Sequence, residues 1–233
     1  MYHSVTFGDK NTWDDWHLIP TSRPLFAPPE PRSRYVEIPG TDGNLNLSEI
    51  LTGYPVFNNR EGSMEFAVAN DYWDWTVAYS TIMNYLHGKA LKAILEDDPG
   101  FYYEGRFWVD EWKSDKYYST ITINYNVYPF KMDLLSTMDP WLWDPFNFET
   151  GIIQETKDML VNGTRTATIH ASGVRSLPEI TADSAMTVRF RDRDYTLPAG
   201  KTTRLPQHYL EGENTFVFTG NGSVSINYRG GML

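Results

Sequence analysis

Cysteine is absent from this 233-residue chain, and that single lack excludes disulfides, zinc–thiolate centres and cysteine nucleophiles together. The fold must stand on packing alone. No run approaches the roughly 18 apolar residues that a membrane-spanning helix requires, so no membrane partner is expected. The opening Met1-Tyr2-His3-Ser4-Val5-Thr6-Phe7 has neither the basic start nor the apolar core of a secretory signal. Basic residues are in the minority, 20 Lys and Arg against 30 Asp and Glu, for a net charge of −10. Affinity for nucleic acid rests on the opposite balance. The histidines His3, His17, His87, His170 and His208 show no i, i+4 pairing and no carboxylate at ligand spacing, so no metal and no cofactor are assigned. G-x-S-x-G, H-E-x-x-H and glycine-rich phosphate loops are missing too, which leaves no catalytic residue to name.

What the chain has instead is an opening stretch, Tyr2 to Gly53, rich in features that build fixed loops. Trp13 and Trp16 flank two aspartates; Leu18-Ile19-Pro20-Thr21-Ser22-Arg23-Pro24, Pro28-Pro29-Glu30-Pro31, Ile38-Pro39-Gly40 and Asp42-Gly43 follow. Proline fixes its own φ, removes a donor and biases its predecessor to extended geometry. With tryptophans and aliphatics interleaved, the segment reads as a shaped strap lying against something. Charge and tryptophan divide the chain further on. Up to Met138 there are 19 acidic and 11 basic residues, a net −8, against 11 and 9 beyond it, a net −2, and all 8 tryptophans lie at or before Trp143. The expected organisation is therefore an N-terminal domain over 1–138, a linker over 139–147 around Asp139-Pro140-Trp141-Leu142-Trp143-Asp144-Pro145, and a C-terminal domain over 148–233.

Gly62 to Ala69 alternates, with Met64, Phe66 and Val68 on one face, as a half-buried strand does. Asn70 or Asp71 then caps a helix whose apolar set Trp75, Ala78, Tyr79, Ile82, Met83 and Leu86 recurs at spacings of three and four, with Gly88 as its stop. His87 at that end reads as an imidazolium favoured by the helix dipole. Ala90 to Leu95 reads as a buried strand, Asp97-Asp98-Pro99-Gly100 as a turn, and Tyr103–Trp112 with Tyr118–Tyr128 as a long hairpin joined near Ser114-Asp115. After the linker come short strands: Thr164–His170, Ser184–Phe190, Arg193–Leu197, Asn214–Thr219 and Ser223–Tyr228, with Asn221-Gly222 as a hairpin turn. That pattern predicts a β-sandwich.

Possible chemistry meets a plainer reading at each place. Asp97-Asp98 and Asp110-Glu111 resemble the acid and base of a glycosidase, yet one lies in a turn and the other at a hairpin end, where solvated carboxylates are common. Arg189, Arg191 and Arg193 alternate with Asp192 and Asp194 as a self-compensating strand and turn. The steps Asn162-Gly163-Thr164 and Asn221-Gly222-Ser223 read as turns rather than glycosylation sites. Aromatic faces flanked by polar groups hold sugars, and Tyr195 and Tyr209 are the candidate contacts, whereas Phe216 and Phe218 share a strand face and read as core.

Taken together, Phe7-Gly8-Asp9-Lys10-Asn11-Thr12-Trp13-Asp14-Asp15-Trp16, the proline runs above, Asn58-Asn59-Arg60-Glu61-Gly62-Ser63, Met83-Asn84-Tyr85-Leu86-His87-Gly88-Lys89, Leu95-Glu96-Asp97-Asp98-Pro99, Tyr102-Tyr103-Glu104-Gly105-Arg106-Phe107 and the ending Leu210–Asn214 through Ile226–Gly231 resemble the distal tail protein (Dit) family of siphophages. The likeness spans nearly the whole chain. It implies a mainly β fold: an N-terminal tail-tube-like β-barrel or sandwich with one packed α-helix and a long β-hairpin, plus a C-terminal galectin-like β-sandwich. It implies a virion structural protein at the distal end of the phage tail, assembled in the host cytoplasm and not an enzyme. Six copies form a homohexameric ring that joins the tail tube protein to the tail-tip hub of the baseplate and anchors a receptor-binding protein, in the service of host attachment and genome delivery. The resemblance implies that DNA passes through the lumen without specific binding; if part of the net −8 of the first half faces inward, it repels the DNA and favours sliding. Trp13, Trp16 and Pro24 are the expected subunit contacts. The alternative is a host-surface carbohydrate-binding module acting in adsorption, carried by Tyr195 and Tyr209.

Overall fold

The computed structural model describes residues 2–68, 75–114, 119–140 and 153–233. Along these the chain runs β1 (Val5–Phe7), β2 (Lys10–Asn11), β3 (Leu18–Pro20), β4 (Tyr35–Glu37), β5 (Asn44–Asn46), β6 (Arg60–Val68), α1 (Trp75–Leu86), β7 (Lys89–Leu95), β8 (Phe101–Ser114), β9 (Ser119–Val127), β10 (Lys131–Asp133), β11 (Met159–Ala171), β12 (Glu179–Ala182), β13 (Met186–Phe190), β14 (Arg193–Leu197), β15 (Lys201–Arg204), β16 (Gly212–Asn227) and β17 (Gly231–Met232). The protein is mainly β, as its alternating segments predict. It divides into two compact units, residues 1–98 with 102–131 and Leu233, and residues 99–101 with 132–232. Of the expected linker 139–147, only Asp139 and Pro140 fall within the described residues. The expected helix cap at Asn70 or Asp71, and Asp115 of the hairpin join, lie outside them.

In the first unit the strands lie in the order β2-β1-β7-β8-β9-β6-β3. Strand β6 places Met64 and Phe66 inward between exposed Ser63 and Glu65, and helix α1 buries Ala78, Ile82 and Leu86, the stripe its spacing predicts. Met64, Phe66, Ile82 and Leu86 meet Val5, Phe7, Trp16, Leu18, Phe107, Ile121 and Ile123 in one core, each fully buried large aliphatic or aromatic side chain contributing about 1.5–3 kcal/mol. Two expectations are corrected here and a third is extended. Strand β7 is buried only at Ala93 and Leu95: Lys92 stands on its outer side, and Lys89, on the same parity as Ala93 and Leu95, is exposed at the start of the strand. Asp110 and Glu111 stand not at the hairpin end but in a bulge, where the β8–β9 register jumps between Val109 and Trp112. And Val109 N donates to His87 Nδ1 at 3.2 Å, so the ring is tied to β8, a partner that the helix-dipole reading did not name.

In the second unit the order is β14-β13-β16-β12-β15, with β11 paired along β16. The two short strands expected at 214–219 and 223–228 are one, the 16-residue β16. Both Asn-Gly steps lie inside the ladder rather than at turns: Asn162 pairs with Asn221 and Gly163 with Gly220. Glycine signals a turn because it reaches positive φ. Here Gly163, Gly220 and Gly222 use that freedom (φ +77°, +151° and +141°) within a strand, and Asn221 Oδ1 accepts the Gly163 amide at 3.0 Å. Strands β12 and β15 went unread for want of apolar alternation long enough to see. The turn between β13 and β14 is Arg191-Asp192, with Arg189 opposite Asp194, so the charges compensate across the hairpin as expected. Phe190, Phe216, Phe218, Val188 and Ile226 fill the core.

Candidate functional site

Residues 28 to 57 leave the first unit's sheet and return to it as an arm. Pro31 bridges Phe57, Arg32 N donates to Val56 O at 2.7 Å and Asn58 N to Glu30 O at 2.8 Å. Beyond that root, β4 and β5 form a two-stranded sheet of their own, in which Val36 stands opposite Leu45. The strand period of two puts Ile38 beside Val36 on that face. Val36, Ile38, Leu45, Ile50 and Leu51 are all exposed, Leu51 to 94%. A two-stranded hairpin is at best marginally stable by itself in water, and an apolar patch of this kind marks an interaction surface.

The root is fixed from below. Arg60, only 5% exposed, opens β6 on the same inward parity as Met64 and Phe66. Its Nε donates to Pro129 O at 2.7 Å and its Nη1 to Ala27 O at 3.0 Å, and the guanidinium lies 5.5 Å from the Tyr103 ring centroid. Burial lowers its pKa from the usual guanidinium value. Ala27 N donates to Tyr125 Oη at 2.8 Å; the Tyr125 hydroxyl reaches it across Gly62, where a Cβ would collide with that ring. Next to Ala27, Phe26 stacks on Tyr103 with ring centroids 4.0 Å apart. Sequence reasoning passed over Arg60, although the period-two parity of β6 pointed it inward.

The sequence candidates fall differently. Trp16 is 3% exposed in the core and Pro24 is also buried within its own chain, so neither offers a face to a neighbour; their burial follows from the strap wrapping its own sheet. Trp13 is half-buried and stacks on Tyr2 at 3.9 Å between ring centroids. Tyr209 is 2% exposed, its ring among Phe190, Phe216 and Tyr228, and burial pushes its phenol pKa up. Tyr195 packs on the same core. Burial thus corrects the sugar-contact expectation for Tyr209, whereas Tyr195 is half-buried and lies outside the shallow hollow of about 290 Å³ that includes Arg189, Leu210, Glu213 and Asn214.

The acidic residues are spoken for. Asp97 accepts from His3 Nδ1 at 2.9 Å and Arg23 Nε at 2.8 Å, and these bonds hold its carboxyl below the usual range, His3 contributing most. Asp98 pairs with Lys131 at 2.5 Å and Glu111 with Lys113 at 3.3 Å. Among the described residues, no group of three or more His, Asp or Glu side chains is placed to share a metal ion.

Neither protein-family profiles nor the sequences of curated proteins match this chain. A solved structure does: the crystal structure of SPP1 Dit (gp 19.1) aligns over 98% of this chain and 99% of its own, with a TM-score of 0.60 and 12% identity. The fold is that of SPP1 Dit. SPP1 Dit is described as a paradigm of the hub adsorption apparatus in phages infecting Gram-positive bacteria. The resemblance to distal tail proteins drawn from the sequence thus holds in the fold of both units, including the mainly β architecture with its single helix among the described residues.

Proposed function

We propose that this protein is a structural subunit of a bacteriophage tail tip, assembling into a hexameric ring that joins the tail tube to the hub and carries receptor-binding components. The end-to-end likeness to a hub protein supports the role, and the observation that carries self-assembly is the arm. A hairpin with an uncovered apolar face of Val36, Ile38 and Leu45 on a fixed root needs a surface to cover it, and in a ring each copy presents the same surface to the next. Contact therefore runs through the arm of the first unit, with Trp13 as the remaining candidate from the strap. The role is structural, and the carboxylates that resembled a glycosidase pair are engaged in ion pairs or stand in a bulge. Light scattering with electron microscopy of the purified chain, alone and mixed with tube and hub proteins, tests the proposal. Sixfold rings are expected; a monomer that also fails to co-assemble overturns it.

A further inference from the structure

Arg60 is a buried cation whose hydrogen bonds go to main-chain carbonyls, and among the described residues its Nη2 has no partner. Burying a guanidinium without a carboxylate is costly, and a methionine of similar volume would fill the same space at no such cost. The placement of its bonds shows what the charge does. Ala27 is the last residue before the arm and Arg60 follows its return, so the Arg60 Nη1 to Ala27 O bond at 3.0 Å closes the base of the arm directly. The Nε bond to Pro129 O fastens the same side chain to the segment after β9, where Phe130 meets Phe57 with ring centroids 5.9 Å apart. Tyr125 Oη takes the Ala27 amide, so both main-chain polar groups of Ala27 are held.

We infer that Arg60 is a positioning residue that sets the direction in which the arm leaves the sheet, at the expense of the stability of the chain that carries it. Its rigid fork serves two carbonyls in different directions, which a lysine ammonium on a flexible stem does less well. An arm fixed before association surrenders less conformational freedom when it docks, and binding is tighter for that reason. The inference deepens the ring proposal and rests on it for the meaning of the arm's direction.

The test is Arg60→Met in the full chain, read three ways, with Tyr125→Phe as a second variant that removes the other tie on Ala27. Amide hydrogen exchange of the dilute, unassembled chain is expected to show the Arg32 and Asn58 amides opening about tenfold faster or more, while the β8–β9 amides are unchanged, because the loss is local. Denaturant unfolding is expected to show Arg60→Met as stable as the parent or more so. Self-association, measured by sedimentation, is expected to weaken about tenfold or more in both variants, with partial rescue by Arg60→Lys. Unchanged exchange at Arg32 and Asn58 overturns the inference, as does a uniform acceleration of all amides together with lower global stability, which marks Arg60 as ordinary core support. If the parent chain does not associate at all, the ring proposal fails while the exchange result still decides what Arg60 does.

Discussion

The hydroxyl of Tyr85, on the helix, accepts from the amide of Asp9 at 3.1 Å and offers the carbonyl of Phe7, at 2.9 Å, one branch of a bifurcated bond from its single proton. It also hydrogen-bonds the Asp9 carboxylate, the largest influence lowering that group's pKa. One phenol thus fixes the β1–β2 turn to the helix. Tyr85→Phe keeps the ring's packing and removes these bonds at a partly solvent-exposed turn, so it is expected to cost about 0.5–1.5 kcal/mol, read as a lower denaturant midpoint at unchanged slope. A change within about 0.5 kcal/mol would show that water replaces the hydroxyl at this turn.

The arm's apolar face predicts a separation of folding from association. Val36→Asp and Leu45→Asp replace exposed side chains, so each is expected to shift monomer stability by no more than about 0.5 kcal/mol. If the face is a central contact, each weakens association by about 2 kcal/mol or more, roughly thirtyfold. Sedimentation over a concentration series, with thermal melts alongside, distinguishes the two effects; equal association by parent and variants removes the arm from the interface.

How much of this was legible can be judged residue by residue. Met64, Phe66 and the stripe Ala78, Ile82, Leu86 were plain because solvent and core alternate there at the period of the element. The arm was visible only as a proline-rich strap, since nothing local separates a segment that wraps its own sheet, as Trp16 and Pro24 do, from one that projects, as Val36 and Leu45 do. Asn221-Gly222 misled for a stated reason: positive φ at glycine serves a distorted strand as well as a turn, and the ladder to Asn162 that decides the matter is remote in sequence. Tyr209 misled in the opposite sense, an aromatic taken for surface because residues 205 to 211 carry little periodicity.

Tyr209 yields a prediction with opposite signs for two substitutions. Its hydroxyl is buried without a hydrogen-bond partner among the described residues, so Tyr209→Phe removes an uncompensated polar group and is expected to raise stability by about 1 kcal/mol. Tyr209→Ala empties a packed site and is expected to cost about 3–5 kcal/mol. Denaturant midpoints of the two variants settle this. A Tyr209→Phe variant less stable than the parent by more than about 1 kcal/mol would mean that the hydroxyl is satisfied.

Acid should loosen the N-terminal clasp at Asp97. Its folded pKa is lowered, first by His3 and then by Arg23. Its contribution is therefore complete above the unfolded value of about 3.9 and is lost as pH falls through the lower folded value. The stability difference between the parent and Asp97→Asn is expected to shrink as pH falls below about 4. A difference that stays constant down to pH 2 would place the effect in shape rather than charge.

Strand β16 follows in sequence every strand it pairs with, β11, β12 and β13, and it joins them all. During synthesis, β11 therefore emerges with its long edge unmatched and waits through the 40 residues from 172 to 211 before its partner begins to exist. Only the local hairpin β13–β14 and the β12–β15 pair can form beforehand. Closure of the second unit is thus a late, non-local event, slow relative to local pairing, and the growing chain must be kept from neighbouring strands until residue 227 is free.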